Sequence, residues 1–307
     1  MLRRTILLSI SRITAAVALL LVAAAVLIRQ PALTSLPFPG ATHADAATLR
    51  RHVEALAGHR SPDYIANAFR ADGATAIEQP FTARHKIYRN VIATFGRGDP
   101  LLIIGAHYDA FDDLPGADDN ASGAAGLLEL GRMLAQNHNL SSEVMLVAYA
   151  NEEPPFFASE DMGSAVHAAS VSGRPVKMIC LEMIGYYTPE QPWTLWTLRV
   201  LFPTDGRFAA VAGGWRDVAL TRQVKRAIAG AGMDVVSATL PHSMIDASDQ
   251  RNYWRRGWPA VMVGDTAYLR NPNYHTRHDI PATLDYARMA RVVDGVFSAA
   301  MYLAGGT

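Results

Sequence analysis

Two short segments concentrate side chains that can bind metal ions or move protons. The first, His107-Tyr-Asp109, follows the apolar run 101–104, which predicts a buried strand. The second, Gly116-Ala-Asp118-Asp119, precedes residues 124–134, whose apolar spacing predicts a helix. His107 and Asp109 should therefore lie at the carboxyl end of a strand, and Asp118 on a loop that enters a helix. Ligands of open α/β sheets bind at that edge.

Three further apolar runs end in similar residue types. Residues 144–150 lead into Glu152 and Glu153, and residues 176–181 lead into Glu182. Residues 260–263 precede His275 by about a dozen positions. Carboxylates that converge in one cleft repel each other, and a bound cation removes that repulsion. Imidazole mixed with carboxylate oxygen suits Zn²⁺ or a similar ion, so these residues indicate metal-assisted hydrolysis.

Elements of two kinds must position these side chains. Apolar runs that end in polar residues alternate with segments of helical spacing. This alternation predicts an α/β fold with a twisted, mostly parallel central sheet flanked by helices. Further strands are predicted at 75–81 and 88–95, and helices at 44–57, 66–71, 217–230 and 284–303. The segment 186–215 has no clear period, and its aromatic residues fit either a pocket mouth or the core.

Taken together, the segments resemble the M28 family of metallopeptidases, which bind two zinc ions. The resemblance covers about residues 90–279. It is carried by a series of pieces in the family's order: His107-Tyr-Asp109, residues 116–123, Asn151-Glu152-Glu153, Glu182-Met-Ile-Gly185, Ser248-Asp249 and Tyr274-His275. One such piece would be a weak signal, whereas the complete ordered set is specific. The resemblance implies the fold of the zinc exopeptidases.

Matched position by position, the resemblance also implies a role for each residue. His107 and Glu182 would bind one zinc ion, and Glu153 and His275 the other. Asp118 would bridge both ions with its two carboxylate oxygens. Glu152 would act as the general base on the water between the ions, and Asp109 would accept a hydrogen bond from His107.

Three positions depart from the family's pattern or leave a choice. Many relatives carry aspartate where this chain has Glu182, which puts the metal preference of that position in question. His278 lies three residues past His275 and is the weaker candidate ligand. Gln250 stands after Ser248-Asp249, where relatives usually have histidine. Asp249 is expected to orient a ligand or the substrate end.

The function that the resemblance implies is a zinc-dependent exopeptidase, most simply an aminopeptidase. It would hydrolyse the N-terminal peptide bond of peptide substrates with a hydroxide held between two zinc ions. One alternative is a glutaminyl cyclase-like aminoacyltransferase, because those enzymes share the fold and several ligands. Another is a non-catalytic, membrane-tethered binding ectodomain. The complete set of ligands and base favours the peptidase.

Composition excludes some partners. Lysine plus arginine and aspartate plus glutamate number 28 each, so the chain has no net basic field that would favour nucleic acid. Cys180 is the only cysteine and lies in an apolar run, which indicates an inert buried thiol. The sequence leaves the oligomeric state open.

The amino-terminal residues predict a membrane location. Arg3, Arg4 and Arg12 accompany a long apolar stretch, so residues 1–29 are interpreted as a signal anchor, or alternatively as a cleaved signal peptide. The arginines predict a cytoplasmic amino terminus and an extracytoplasmic catalytic domain, which cleavage would release as a secreted protein. A linker at 30–44 and a di-zinc peptidase domain at 45–307 complete the predicted organisation.

Overall fold

A single sheet of eight strands forms the centre of the protein. The computed structural model describes residues 2–32, 34–39, 42–137 and 139–305, with side chains from residue 14 onward. The strands are β1 (Thr75–Ala83), β2 (Lys86–Phe95), β3 (Leu101–His107), β4 (Val144–Tyr149), β5 (Val176–Glu182), β6 (Ala209–Gly213), β7 (Val235–Thr239) and β8 (Ala260–Gly264). The helices are α1 (Leu2–Arg29), α2 (Ala46–Leu56), α3 (Pro62–Ala71), α4 (Gly123–Ala135), α5 (Gly163–Ser170), α6 (Trp196–Leu201), α7 (Val218–Gly230), α8 (Gln250–Trp254) and α9 (Tyr286–Leu303).

The strand order is β1-β2-β4-β3-β5-β8-β6-β7. The central strands β4, β3, β5 and β8 are parallel, whereas β1 and β2 join the β4 side and β6 joins the β8 side in antiparallel fashion. Strand β7 pairs with β6 in parallel and forms the edge of the sheet. The predicted α/β fold with a mostly parallel, helix-flanked sheet is therefore confirmed.

Helices cover both faces of the sheet, which is why its central strands are apolar along their whole length. Alternate residues of β3, such as Leu102 and Ile104, pack towards α4 and α9 in one core. Their neighbours Leu101 and Ile103 belong to a second core with Tyr253 of α8. Because successive side chains point to opposite faces of the sheet, one strand contributes residues to both hydrophobic cores.

Two strands and three short helices, α5, α6 and α8, have no counterpart in the sequence prediction. Strands β6 and β7 have five residues each and contain mostly alanine, valine and small residues, so their apolar runs are too short to stand out. Helix α5 begins at Gly163, well after β4 ends at Tyr149, and α6 lies in the segment 186–215, which showed no clear period. The predicted helices at 217–230 and 284–303 are observed as α7 and α9.

The predicted membrane location is wrong. Residues 2–29 do form the long helix α1, yet across the described part of the chain no helix combines the length and apolar character needed to cross a bilayer. The side chains of Arg3, Arg4 and Arg12, and residue Gly40 of the predicted linker, lie outside the described residues. The described end of α1 is fixed to the body, because Lys225 of α7 donates hydrogen bonds to the carbonyl oxygens of Arg29, at 2.8 Å, and Gln30, at 3.2 Å.

Candidate metal centre

Four neighbouring parallel strands bring the candidate ligands to one edge of the sheet. His107 is the last residue of β3 and Glu182 the last residue of β5. Glu152 and Glu153 follow β4, and His275 lies on the loop after β8. Because these strands are adjacent and parallel, their carboxyl ends converge, as the sequence predicted.

Two groups of side chains there could each hold a metal ion. His107, Asp119 and Glu182 form the first group, and Asp119, Glu153 and His275 form the second. His107 Nε2 lies 3.4 Å from both Asp119 Oδ1 and Glu182 Oε2. His275 Nε2 lies 3.1 Å from Asp119 Oδ2 and 3.3 Å from Glu153 Oε1. The two oxygens of Asp119 thus face different histidines, which is the geometry of a bridging carboxylate.

The bridging position corrects the sequence analysis, which assigned it to Asp118. The Asp118 carboxylate points away from both histidines and accepts hydrogen bonds from the Gly185 amide, at 3.0 Å, and from Asn271 Nδ2, at 2.8 Å. It lies fully buried beside Asp265, and this burial raises its pKa well above the usual value. Adjacent residues of one loop present their side chains in different directions, and here the second aspartate faces the cleft.

Asp279 and Gly116 hold this loop in place. The two carboxylate oxygens of Asp279 accept the backbone N–H groups of Asp118, at 2.9 Å, and Asp119, at 3.1 Å. Gly116 has a φ of 60°, and a Cβ at that position would lie 2.4 Å from the carbonyl oxygen of Asp119. Glycine is therefore required for the turn that delivers Asp119.

Glu152 belongs to neither metal group. Its Oε2 lies 3.8 Å from His107 Nε2, and the side chain is buried. Burial raises the pKa of Glu152 well above its usual value; His107 opposes that rise, and the nearby Glu182 adds to it. A carboxyl group that binds a proton readily next to a metal cleft is suited to proton transfer.

Asp109 acts on the backbone of its neighbours more than on His107. Its carboxylate accepts the amide N–H groups of Glu152 and Glu153, both at 3.1 Å, and so ties the end of β4 to the end of β3. The ring nitrogen His107 Nδ1 lies 3.1 Å from the backbone oxygen of Asp109 and 3.5 Å from its carboxylate. The predicted partner of His107 is therefore the right residue, with the main-chain oxygen closer than the side chain.

The electrostatics of the cluster fit divalent cations. Burial lowers the pKa of His275, but its contacts with Asp119 and Glu153 outweigh this and raise it to about 9. Burial raises the pKa of Asp119, but His107 and His275 prevail and hold it at about 2. His107 Nε2, His275 Nε2 and Glu153 Oε1 are buried without a hydrogen-bond partner among the described residues. Nitrogen and carboxylate donors that lack partners match the ligand preference of zinc.

Three residues extend the site beyond the sequence assignment. Ser248 donates a hydrogen bond to Glu182 Oε2 and orients that carboxylate. The His275 ring is stacked between Phe111, at a centroid distance of 4.1 Å, and Tyr274, at 3.8 Å. Ser248 and Tyr274 stand in segments that the sequence analysis singled out. Phe111 was not predicted, because its stacking on His275 joins two loops that are far apart in the sequence.

Two other residues named from the sequence take no part in the metal groups. His278 stays outside both groups. The Asp249 carboxylate is buried without a hydrogen-bond partner among the described residues.

Comparison with known proteins identifies relatives of this arrangement. The family model "Peptidase family M28" matches residues 90–300. The uncharacterized protein YfbL of Escherichia coli is 47% identical over 78% of this chain and 79% of its own length. A probable leucine aminopeptidase of Trichophyton verrucosum is 28% identical, over 80% of this chain and 65% of the relative.

Among solved structures, LapB from Legionella pneumophila superposes with a TM-score of 0.70 at 18% identity, covering 88% of this chain and 78% of LapB. Porphyromonas gingivalis glutaminyl cyclase superposes with a TM-score of 0.66 at 18% identity, covering 86% of this chain and 100% of the cyclase, so it shares the fold.

Proposed function

The chain belongs to peptidase family M28, and we propose that it is an aminopeptidase that holds two zinc ions and removes the N-terminal residue of peptides. One observation carries the proposal. The carboxylate of Asp119 directs one oxygen at His107 and the other at His275, so two metal ions could share it. A likeness to leucine aminopeptidases supports the choice of reaction.

Each position would have three protein ligands. His107, Glu182 and Asp119 would hold one ion, and His275, Glu153 and Asp119 the other. When bound, a pair of zinc ions supplies Lewis acidity towards water and the scissile carbonyl. Three ligands per ion leave a coordination position open, as catalytic zinc sites do.

Glu152 would carry the proton. It is buried at the cleft, outside both ligand groups, and its raised pKa allows it to take a proton and return it to the departing amine. The Asp109 carboxylate fixes the backbone of Glu152 and Glu153 together, so that the base and the ligand keep their relative positions. Ser248 fixes the orientation of the Glu182 carboxylate by donating a hydrogen bond to it.

The proposal is tested by metal content and product analysis on one preparation. Reconstituted protein should bind about two zinc ions per chain and release amino acids from peptides with free amino termini. A chelator should abolish turnover, and added zinc should restore it. Blocking the peptide's amino terminus by acetylation should also prevent cleavage. Saturation at one ion, or equal cleavage of acetylated peptides, would contradict the proposal.

Glutaminyl cyclisation is the second candidate, because a glutaminyl cyclase shares the fold. The two complete ligand groups around Asp119 favour the peptidase. The two reactions differ in product mass, since cyclisation of an N-terminal glutamine releases ammonia and hydrolysis adds water. A glutamine-initiated peptide with zinc-loaded protein should therefore yield free glutamine and the shortened peptide.

A further inference from the structure

A second cavity lies at the edge of the sheet opposite the metal centre. It has a volume of about 290 Å³ and is lined by Trp215, Arg216, Asp217, His242, Trp254 and residues 257–259. These residues surround the start of β8 and the end of β6, whereas Glu182 pairs with Gly264 at the other end of β8. The length of β8 therefore separates the two sites by roughly 13 Å.

Indole rings form the walls of this cavity. Trp254 is 9% exposed, and its Nε1 donates a hydrogen bond to the Ala260 carbonyl oxygen at 3.0 Å, which fixes the ring. Trp258 contributes a second ring, and Trp215, 50% exposed, stands at the mouth. Rigid aromatic walls around a cavity of this size suit a small planar, apolar group.

The histidine in the cavity is held by a buried carboxylate. His242 Nε2 lies 2.8 Å from Asp217 Oδ2, and its ring stacks on Trp254 with a centroid distance of 4.1 Å and an angle of 11°. A Cβ on Gly214 would lie 2.0 Å from His242 Nε2, so glycine is needed there for the pair to form. The imidazole is thus fixed on one side by the Asp217 carboxylate and on its face by Trp254, and it forms a rigid part of the cavity wall.

The unmatched charge in the cavity is positive. Asp217 accepts hydrogen bonds from the Gly214 amide at 2.8 Å and the Ala260 amide at 3.3 Å in addition to its contact with His242, so its charge is compensated. Arg216 is exposed and makes no hydrogen bond or ion pair with any residue in the described ranges. A guanidinium without a partner pairs strongly with a carboxylate.

We propose that this cavity binds a small aromatic carboxylate. The ring of the ligand would lie between Trp215, Trp254 and Trp258, and its carboxylate would pair with the guanidinium of Arg216. The site is independent of the metal centre, and the proposal stands whether or not the chain is an aminopeptidase.

Phenylacetate is the probe, and phenethylamine is its cationic counterpart with the same ring. Saturation-transfer NMR on the full chain should show saturable binding of phenylacetate and much weaker binding of the amine. Arg216→Gln should weaken phenylacetate binding by about tenfold, because a charged hydrogen-bonding partner is lost. Trp215→Ala should weaken it as well. Arg256→Gln and Trp196→Ala change an exposed arginine and an exposed tryptophan outside the cavity, and should leave binding unchanged.

A carboxylate can also bind zinc, so each titration is repeated after chelator treatment. Binding that survives chelation and is lost in Arg216→Gln and Trp215→Ala supports the proposal. Binding that disappears with the metal and is unchanged in both variants places the probe at the metal centre and overturns it. The absence of saturable phenylacetate binding, or tighter binding of phenethylamine, overturns it too.

Discussion

Glu152 and Glu153 are sequence neighbours to which we assign different roles, proton transfer to Glu152 and metal binding to Glu153. Glu152→Gln should keep the metal content and lower turnover by roughly 10²–10⁴-fold, because the variant loses a positioned proton carrier. Glu153→Gln should lose zinc, since an anionic ligand of the second group is removed. Zinc content and turnover measured on the same two preparations decide the matter. A fully active, zinc-replete Glu152→Gln would refute the assigned role.

Asp118 and Asp119 provide a second contrast between neighbours. Asp119→Asn should release both ions, because its two oxygens face both histidines. Asp118→Asn should keep zinc but lower the free energy of unfolding by about 1–3 kcal/mol, because one of its two accepting oxygens becomes an NH₂ group that faces the N–H donor of Gly185 or Asn271. Elemental analysis and urea unfolding measure the two effects. Zinc loss in Asp118→Asn alone would show that Asp118 is the bridging ligand, as the sequence predicted.

At the scale of single residues, the sequence and the structure differ over which aspartate faces the two histidines. Residue types and order placed His107, Glu153, Glu182 and His275 at one edge of the sheet. They could not choose between two adjacent aspartates, because both are carboxylates on the same loop. That choice depends on Asp279, whose contact with the loop spans 160 residues of chain.

Among the elements, the junction of β3 and β4 has little room for added volume. A Cβ on Gly105 would lie 2.3 Å from the ring of Tyr149, which is fully buried. Gly105→Ala should therefore destabilise the fold by about 1–3 kcal/mol, the usual cost of overpacking. Thermal or urea unfolding measures the change.

Gly126→Ala on α4 is the matched control. Its Cβ would meet the side-chain methyl groups of Ile184, Leu181 and Val293 at 3.0 to 3.4 Å, which can shift. Alanine also favours helix over glycine by about 1 kcal/mol. The net change in the free energy of unfolding should therefore be small. Equal destabilisation of the two variants would show that the Tyr149 ring has room to move.

The long elements were predictable because their apolar periods are long. Strands β3, β4 and β5 and helices α7 and α9 each repeat the pattern over enough residues to be read. Strands β6 and β7 escaped because five residues of small side chains carry little pattern. The apolar composition of residues 13–28 predicted a membrane span, but composition alone did not establish one.

The stability of the whole molecule should depend on pH through His167. This side chain is buried, and burial lowers its pKa from 6.5 to about 4. Between these values the unfolded chain binds a proton that the folded chain does not, so stability present above pH 6.5 is lost as the pH falls towards 4. The loss amounts to roughly 3 kcal/mol.

His167→Asn tests this dependence, because asparagine can still accept a hydrogen bond from Tyr253 but does not titrate in this range. Unfolding free energies in urea at pH 7 and pH 4.5, measured on chelated protein so that metal loss does not contribute, should fall less for the variant. Identical losses in both proteins would show that other groups control the acid response.

The reversal of strand direction between β8 and β6 has a kinetic consequence. Because β6 and β7 run opposite to the central strands, their carboxyl ends open on the far edge of the sheet, and the tryptophan-lined cavity shares no residue with the metal groups. Two occupants can then be present on one molecule at once. A compound bound at the far edge would therefore leave the metal centre open to the peptide, and any inhibition by it should not be purely competitive.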